Sequence, residues 1–138
     1  MSLDAQIYNA TTYLLDRNIA AGRGNKVAFK DPASEITYGA LQAQSCRLAN
    51  LLQRLGVRRE ERVAMIMLDT IDFPIVFLGA IRAGIVPVPL NTLLTAEHYA
   101  YVLADCRARV LFVSAALLPV VRESLGRLTG LEHVMTGR

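Results

Sequence analysis

At 138 residues the chain is long enough for one ordinary domain with a real core. Its hydrophobic fraction is 53% and its mean hydropathy +0.32, against an apolar share of about 45–50% in ordinary soluble domains. The net charge of +3 comes from scattered arginines, with Arg58-Arg59, Arg107 and Arg109 the nearest to clusters, which excludes the basic, aromatic-studded stripe that nucleic acid requires. No run reaches the roughly 18 uninterrupted apolar residues of a membrane helix. Met1–Gln6 lacks a basic region followed by an apolar one, so it does not read as a secretory signal. A cytoplasmic protein is expected.

Asn9 is placed to cap a first helix through TTYLLDRNIAA, which ends in the loop Gly22-Arg23-Gly24-Asn25. VAFK and EIT flank Asp31-Pro32-Ala33-Ser34 and predict a hairpin. Thr37 caps a long helix with Leu41, Leu48, Leu52 and Leu55 on one face and Gly56 as its stop. From there the pattern alternates. VAMIML predicts a strand, and Asp69, Thr70 or Asp72 caps a helix that runs to Ala83 and stops at Gly84. IVPVPL is the next strand, and Thr95 caps a helix carrying Tyr99, Val102 and Leu103. VLFV predicts a further strand, Ser114 and VVRESLGRL a helix, and LEHVM a final strand.

Continuous apolar strands separated by helices predict a layered α/β fold, a mostly parallel sheet with helices on both faces. The reading is a single unit over residues 1–138, with helix plus hairpin over 1–36 and alternating helix and strand over 37–138. Within it, IDFPIVFLGAIRAGIVPVPLN is unusual. The helix carries apolar residues on more than one face, which predicts a second protein layer over it. Pro87 and Pro89 turn their nitrogens to the same side of a strand, where neither donates, so they mark a sheet edge or a place where the backbone leaves the ladder.

Ligands of open parallel sheets collect beyond the C-terminal strand ends, marked here by Asp69-Thr70, Asn91-Thr92, Ser114 and Thr136. Helix capping accounts for short polar side chains at such positions. Asn91 is favoured for more than capping, with Thr92 beside it, because Thr95 is the better cap for the following helix. GRGNK lacks the spacing of a phosphate loop and reads as a surface turn. Cys46 and Cys106 have no metal-ligand spacing and read as buried small hydrophobes; His98 and His133 are isolated. No catalytic residue and no metal ligand is assigned.

Two stretches carry a resemblance. Thr37-Tyr38-Gly39-Ala40-Leu41 resembles the [ST]-Y-x-E-L element of adenylate-forming enzymes. Ile81-Arg82-Ala83-Gly84-Ile85-Val86-Pro87-Val88-Pro89-Leu90-Asn91 resembles their [LI]-[KR]-A-G-x-V-x-V-P-[LV]-N element. The segments from Tyr8 to Asn18, Asp69 to Pro74 and Asn91 to Thr95 are similar to the benzoate-CoA ligase branch. The resemblance implies the N-terminal part of the large domain of an enzyme that activates an aryl carboxylate with ATP and Mg2+ and passes the acyl group to coenzyme A.

By the same resemblance, the phosphate loop, the adenylate-binding residues, the aryl pocket and a mobile C-terminal domain lie downstream. They would be this chain's partners, together with a small aromatic carboxylate as substrate and, as a possibility, further copies of the enzyme. None of the cofactors is expected to bind tightly to this chain, and the chain by itself is expected to be inactive. Ala40 departs from the family glutamate, which completes a capping box. A free-standing binding or assembly module on a ligase-like scaffold is the alternative, and it calls for a polar outer face on the 73–83 helix, which is absent.

Overall fold

The computed structural model describes residues 8–137. The MSLDAQ segment read above for a leader lies outside them. Asn9 stands where a cap is expected, its Oδ1 accepting from Thr11 N at 3.0 Å. The helix that follows has a π-helical stretch, Thr12–Asp16, before α1, Arg17–Ala20, where the apolar spacing predicts regular α-helix throughout. Strands β1, Val27–Lys30, and β2, Glu35–Thr37, form the antiparallel hairpin. Helix α2, Tyr38–Arg54, opens on Thr37, whose hydroxyl accepts from Ala40 N at 3.2 Å, so the cap survives without the family glutamate. It buries Leu41, Leu48 and Leu52 as expected, while Leu55 is half-buried at its C-cap. Gly56 closes it at φ +75°, a conformation suited to glycine.

The alternating part comprises β3, Arg62–Ile66; α3, Asp72–Arg82; β4, Val86–Pro89; α4, Ala96–Asp105; β5, Ala108–Ser114; α5, Leu118–Leu125; and β6, His133–Gly137. Several boundaries shift by one to three residues from the reading of the sequence, and two of the shifts have a plain cause. The last helix begins earlier and stops before Gly126, because Pro119 sits in its first turn, where no amide is needed, and Gly126 is its C-cap. The last strand starts at His133 because Leu131 is drawn into the core beside α4 and α5.

Strands β4-β3-β5-β6 form, in that order, one parallel sheet. Val63, Met65, Val110 and Phe112 face α2 and α3, while Ala64, Ile66, Leu111 and Val113 face α4 and α5. Both faces are therefore covered, which is why β3 and β5 read as unbroken apolar runs. The proline strand β4 is the edge, the first of the two alternatives. Val86 N and Leu90 N donate to Glu61 O and Met65 O of the inner neighbour at 2.9 and 2.8 Å, and Pro87 and Pro89 take the alternate positions.

No residue of α3 is exposed. The second layer expected over it is present, and this chain supplies much of it. Leu15, Ile36 and Leu41 pack on Leu78, with Ala28, Tyr38, Ile71, Ile75 and Phe77 around them. On that side the N-terminal helix and hairpin of this same chain fold back onto the helix. Polar ties reinforce the layer. Thr11 Oγ1 donates to Leu78 O at 2.8 Å and Asn9 Nδ2 to Ile81 O at 2.8 Å. The Arg82 guanidinium grips both Asp16 oxygens at 3.1 and 2.6 Å and donates to Ser45 Oγ at 3.2 Å.

Candidate functional site at the strand ends

Chain direction changes between β3 and β5. From β3 the chain leaves through α3 on one face of the sheet. From β5 it leaves through α5 on the other, so their C-terminal ends form a topological switch point. Ser114, fully buried, spans the two strand ends by accepting from Leu68 N at 3.0 Å. It makes no side-chain cap for the turn Ala115–Leu117, so its role here is to join the strands.

The corner after β3 turns tightly. Thr70 N donates to Leu68 O at 2.8 Å, and Phe73 N to Thr70 O at 3.1 Å. Ile71 holds the N-cap position of α3 with no side-chain cap bond of its own. The N-cap is thus none of the expected Asp69, Thr70 or Asp72, and the amide of Ile71 is held from the hairpin turn, where Asp31 Oδ2 accepts it at 2.9 Å. The carboxylate of Asp31 also takes Ala33 N and Ser34 N on its other oxygen. These amide bonds, Ile71 foremost, bring its pKa down to about 2. Asp69 is exposed, and the Thr70 hydroxyl is buried without a hydrogen-bond partner. Reading the sequence missed Asp31 as part of this corner; its one cue, a turn-initiating Asp-Pro, says nothing of the distant amide.

Beside the corner lies a cavity of about 420 Å3, lined by apolar Leu14, Phe29, Phe73, Pro74 and Phe77, with Lys30, Asp69 and Thr70 as its polar groups. The rings of Phe73 and Phe77 stack with centroids 6.2 Å apart. An apolar hollow beyond the strand ends is the usual place for a small-molecule site.

Asn91 and Thr92 lie one strand away, after edge strand β4. Asn91 Oδ1 accepts from Leu93 N at 2.8 Å and its carbonyl from the Tyr99 hydroxyl at 2.9 Å, so it builds the turn into α4. Burial pushes the Tyr99 phenol up. Thr95 caps α4 as expected, accepting from His98 N at 3.4 Å. Thr136, on β6 across from Val113, ends the other side of the rim.

Other chemistry-bearing residues stand apart from this rim. Cys46 and Cys106 are free and half-buried rather than fully buried, and desolvation raises the Cys106 thiol pKa. His98 pairs with Thr95 at 3.0 Å, and His133 sits in β6. Arg109 bonds Glu61 at 2.8 Å and Glu132 at 2.5 Å near the N-terminal strand ends, a scaffold cluster on the far side of the sheet. Among the described residues no group of three His, Cys, Asp or Glu side chains is placed to hold a metal, and no helix is long and apolar enough to cross a membrane.

The sequence matches the AMP-binding enzyme family over residues 16–136. It is 51% identical over 128 residues to a 4-hydroxybenzoate-CoA/benzoate-CoA ligase of Rhodopseudomonas palustris, covering 93% of this chain and 24% of the relative. It is 45% identical over 129 residues to a benzoate-CoA ligase of Thauera aromatica, with the same coverage. Among solved structures, a benzoate CoA ligase from Burkholderia xenovorans superimposes with a TM-score of 0.89 at 38% identity, over 96% of this chain and 26% of that one. This chain thus spans about a quarter of the length of these relatives. Matching family sequence over nearly every described element, and a benzoate CoA ligase structure that overlays 96% of the chain, lead to one conclusion: the chain belongs to the AMP-binding enzyme family.

Proposed function

We propose that this chain forms the N-terminal quarter of an ATP-dependent aryl-CoA ligase acting on benzoate or a close analogue. The intact enzyme would join the carboxylate to the α-phosphate of ATP, releasing pyrophosphate, and then transfer the acyl group from AMP to the thiol of coenzyme A. The observation that carries this reading is the 51% identity over 93% of the chain to a ligase named for benzoate and 4-hydroxybenzoate. In this division of labour the chain contributes the parallel sheet and the rim at its strand ends. Asp69, Thr70, Asn91 and Thr92 are its candidates for contact with the bound nucleotide, acyl group or coenzyme A. Mg2+ and the groups that do chemistry on the adenylate would be held by the remainder of the enzyme, which is also the chain's main partner.

The direct test is a chimera. The matching 128-residue stretch of the R. palustris ligase is replaced by this chain's sequence, and benzoyl-CoA formation is measured. Activity within an order of magnitude of the parent enzyme supports the reading; a folded chimera without activity refutes it. The 138-residue chain alone is expected to show no benzoate-dependent ATP–pyrophosphate exchange, and robust exchange by the pure chain would contradict the division of labour.

A further inference from the structure

The cavity at the strand ends has walls from distant parts of the chain: Phe29 and Lys30 of β1 on one side, and the run from Asp69 through α3 on the other. The Asp31 carboxylate bridges the two, 40 positions in sequence from the amide it accepts. Its oxygens have separate tasks. Oδ1 takes Ala33 N at 2.8 Å, Ser34 N at 2.7 Å and Ser34 Oγ at 3.1 Å, which folds the hairpin turn. Oδ2 takes Ile71 N at 2.9 Å. Two acceptor oxygens on a short stem are needed to do both. Asparagine offers one carbonyl oxygen, and its amide nitrogen turned toward Ile71 N–H would meet a donor with a donor.

From this geometry we propose that Asp31 is a positioning residue, a clasp that holds the β1 wall of the cavity against the first turn of α3 and fixes the Asp69–Thr70 corner at the switch point. Its role in the enzyme rests on the reading of the strand-end rim as the ligase's working side. Asp31 holds the amide of the N-cap residue Ile71 from outside the corner, so neither the Asp69 nor the Thr70 side chain is spent on that task. Asp69 stays exposed, and the Thr70 hydroxyl stays buried without a hydrogen-bond partner beside the cavity. The clasp also explains why the hairpin turn, otherwise a surface feature, carries a residue with four donors around it.

Two variants break the clasp and keep an acceptor for the turn: Asp31→Asn and Asp31→Ser. Thr95→Ala serves as control, since it removes one cap bond from α4 on the opposite face of the sheet. In the isolated chain, both Asp31 variants are expected to speed hydrogen exchange at the Ile71 amide about tenfold while the Ala33 and Ser34 amides change by no more than about twofold. In the chimeric ligase, Asp31→Asn is expected to lower kcat/KM several-fold, whereas Thr95→Ala, with a similar loss of Tm, leaves it near that of the unmodified chimera. Unchanged exchange at Ile71 would overturn the clasp. Equal falls in kcat/KM for Asp31→Asn and Thr95→Ala would reduce Asp31 to a stabilising residue and overturn its positioning role. If the unmodified chimera is inactive, the ligase reading fails, and the exchange result still decides the clasp.

Discussion

Gly79 lies in the middle of α3, where glycine is a poor helix former, and the reason is the crossing with α2. A Cβ there would stand 2.7 Å from Leu48 Cδ2, 2.8 Å from Leu48 Cβ and 3.0 Å from Ser45 O. The δ-methyl of leucine can rotate away, but its Cβ and a backbone carbonyl move only if a helix moves. Inserting one methyl into such a contact costs about 1–3 kcal/mol, and the upper end applies where rigid atoms must yield. Replacing glycine by alanine inside a helix returns about 1 kcal/mol of propensity. The net for Gly79→Ala is a loss of about 2 kcal/mol, or a Tm lower by roughly 8 °C for a domain of this size. Thermal unfolding followed by circular dichroism measures it. Gly126→Ala is the control. Gly126 has φ −64°, and a methyl added there would have nothing within 4 Å of it, so the Tm should stay level or rise slightly. A Gly79→Ala protein as stable as the parent would refute the reasoning, because the α2–α3 crossing would then be loose enough to accept a side chain.

Arg82→Ala should cost about 2 kcal/mol, between the value of an exposed ion pair and that of a buried one, since Arg82 and Asp16 are 20% and 26% exposed; a double-mutant cycle with Asp16→Ala by urea unfolding isolates the pair. The Arg82 hydrogen bond holds the Asp16 carboxyl below its ordinary value against the opposing effect of burial, and Asp31 lies at about 2. Both folded values fall below the ordinary 3.8, so their stabilisation is complete above that pH and is lost as pH falls toward 2. The urea midpoint should therefore drop over that window, and less steeply in Asp31→Asn; an equally steep drop in the variant would contradict this. Replacing Pro87 and Pro89 together by valine gives the open side of β4 two free N–H donors, and sedimentation velocity should then show concentration-dependent association beyond that of the parent. Identical sedimentation of the two proteins would count against the prolines as guards of the edge.

The elements most legible in the sequence were those whose cause is local. Thr37 and Thr95 cap helices through an amide three residues on, and Gly56 and Gly84 take the positive φ their positions require. The proline strand was readable as an edge because a missing donor is a property of the residue itself. Strand order was not readable. Nothing in the spacing of apolar runs says that β5 returns beside β3 rather than beside β4, and that choice puts the switch point at Asp69–Thr70 and Ser114 rather than at Asn91. The cap on Ile71 was hidden for a similar reason. Asp31 looked complete as a turn residue, and only the fold reveals that its second oxygen has a helix to serve.

Helix α3 joins the local and the distant causes in one element. Its apolar surface requires protein on every side, and the sheet, α2 and the N-terminal helix with its hairpin supply three of them. The N-terminal segment is therefore a structural layer of this domain rather than an appendage: Asn9, Thr11 and Asp16 each place a polar bond on α3 at a point where its backbone carbonyl or Arg82 would otherwise need water. What remains of the apolar surface is concentrated at the first turns, where Phe73, Pro74 and Phe77 open onto the cavity beside the switch point. Among the described residues, this half-buried apolar group lies on the strand-end side of the sheet. That placement is what a domain would show if its strand-end rim were built to meet a ligand or the rest of a larger ligase, and the chimera tests whether it does.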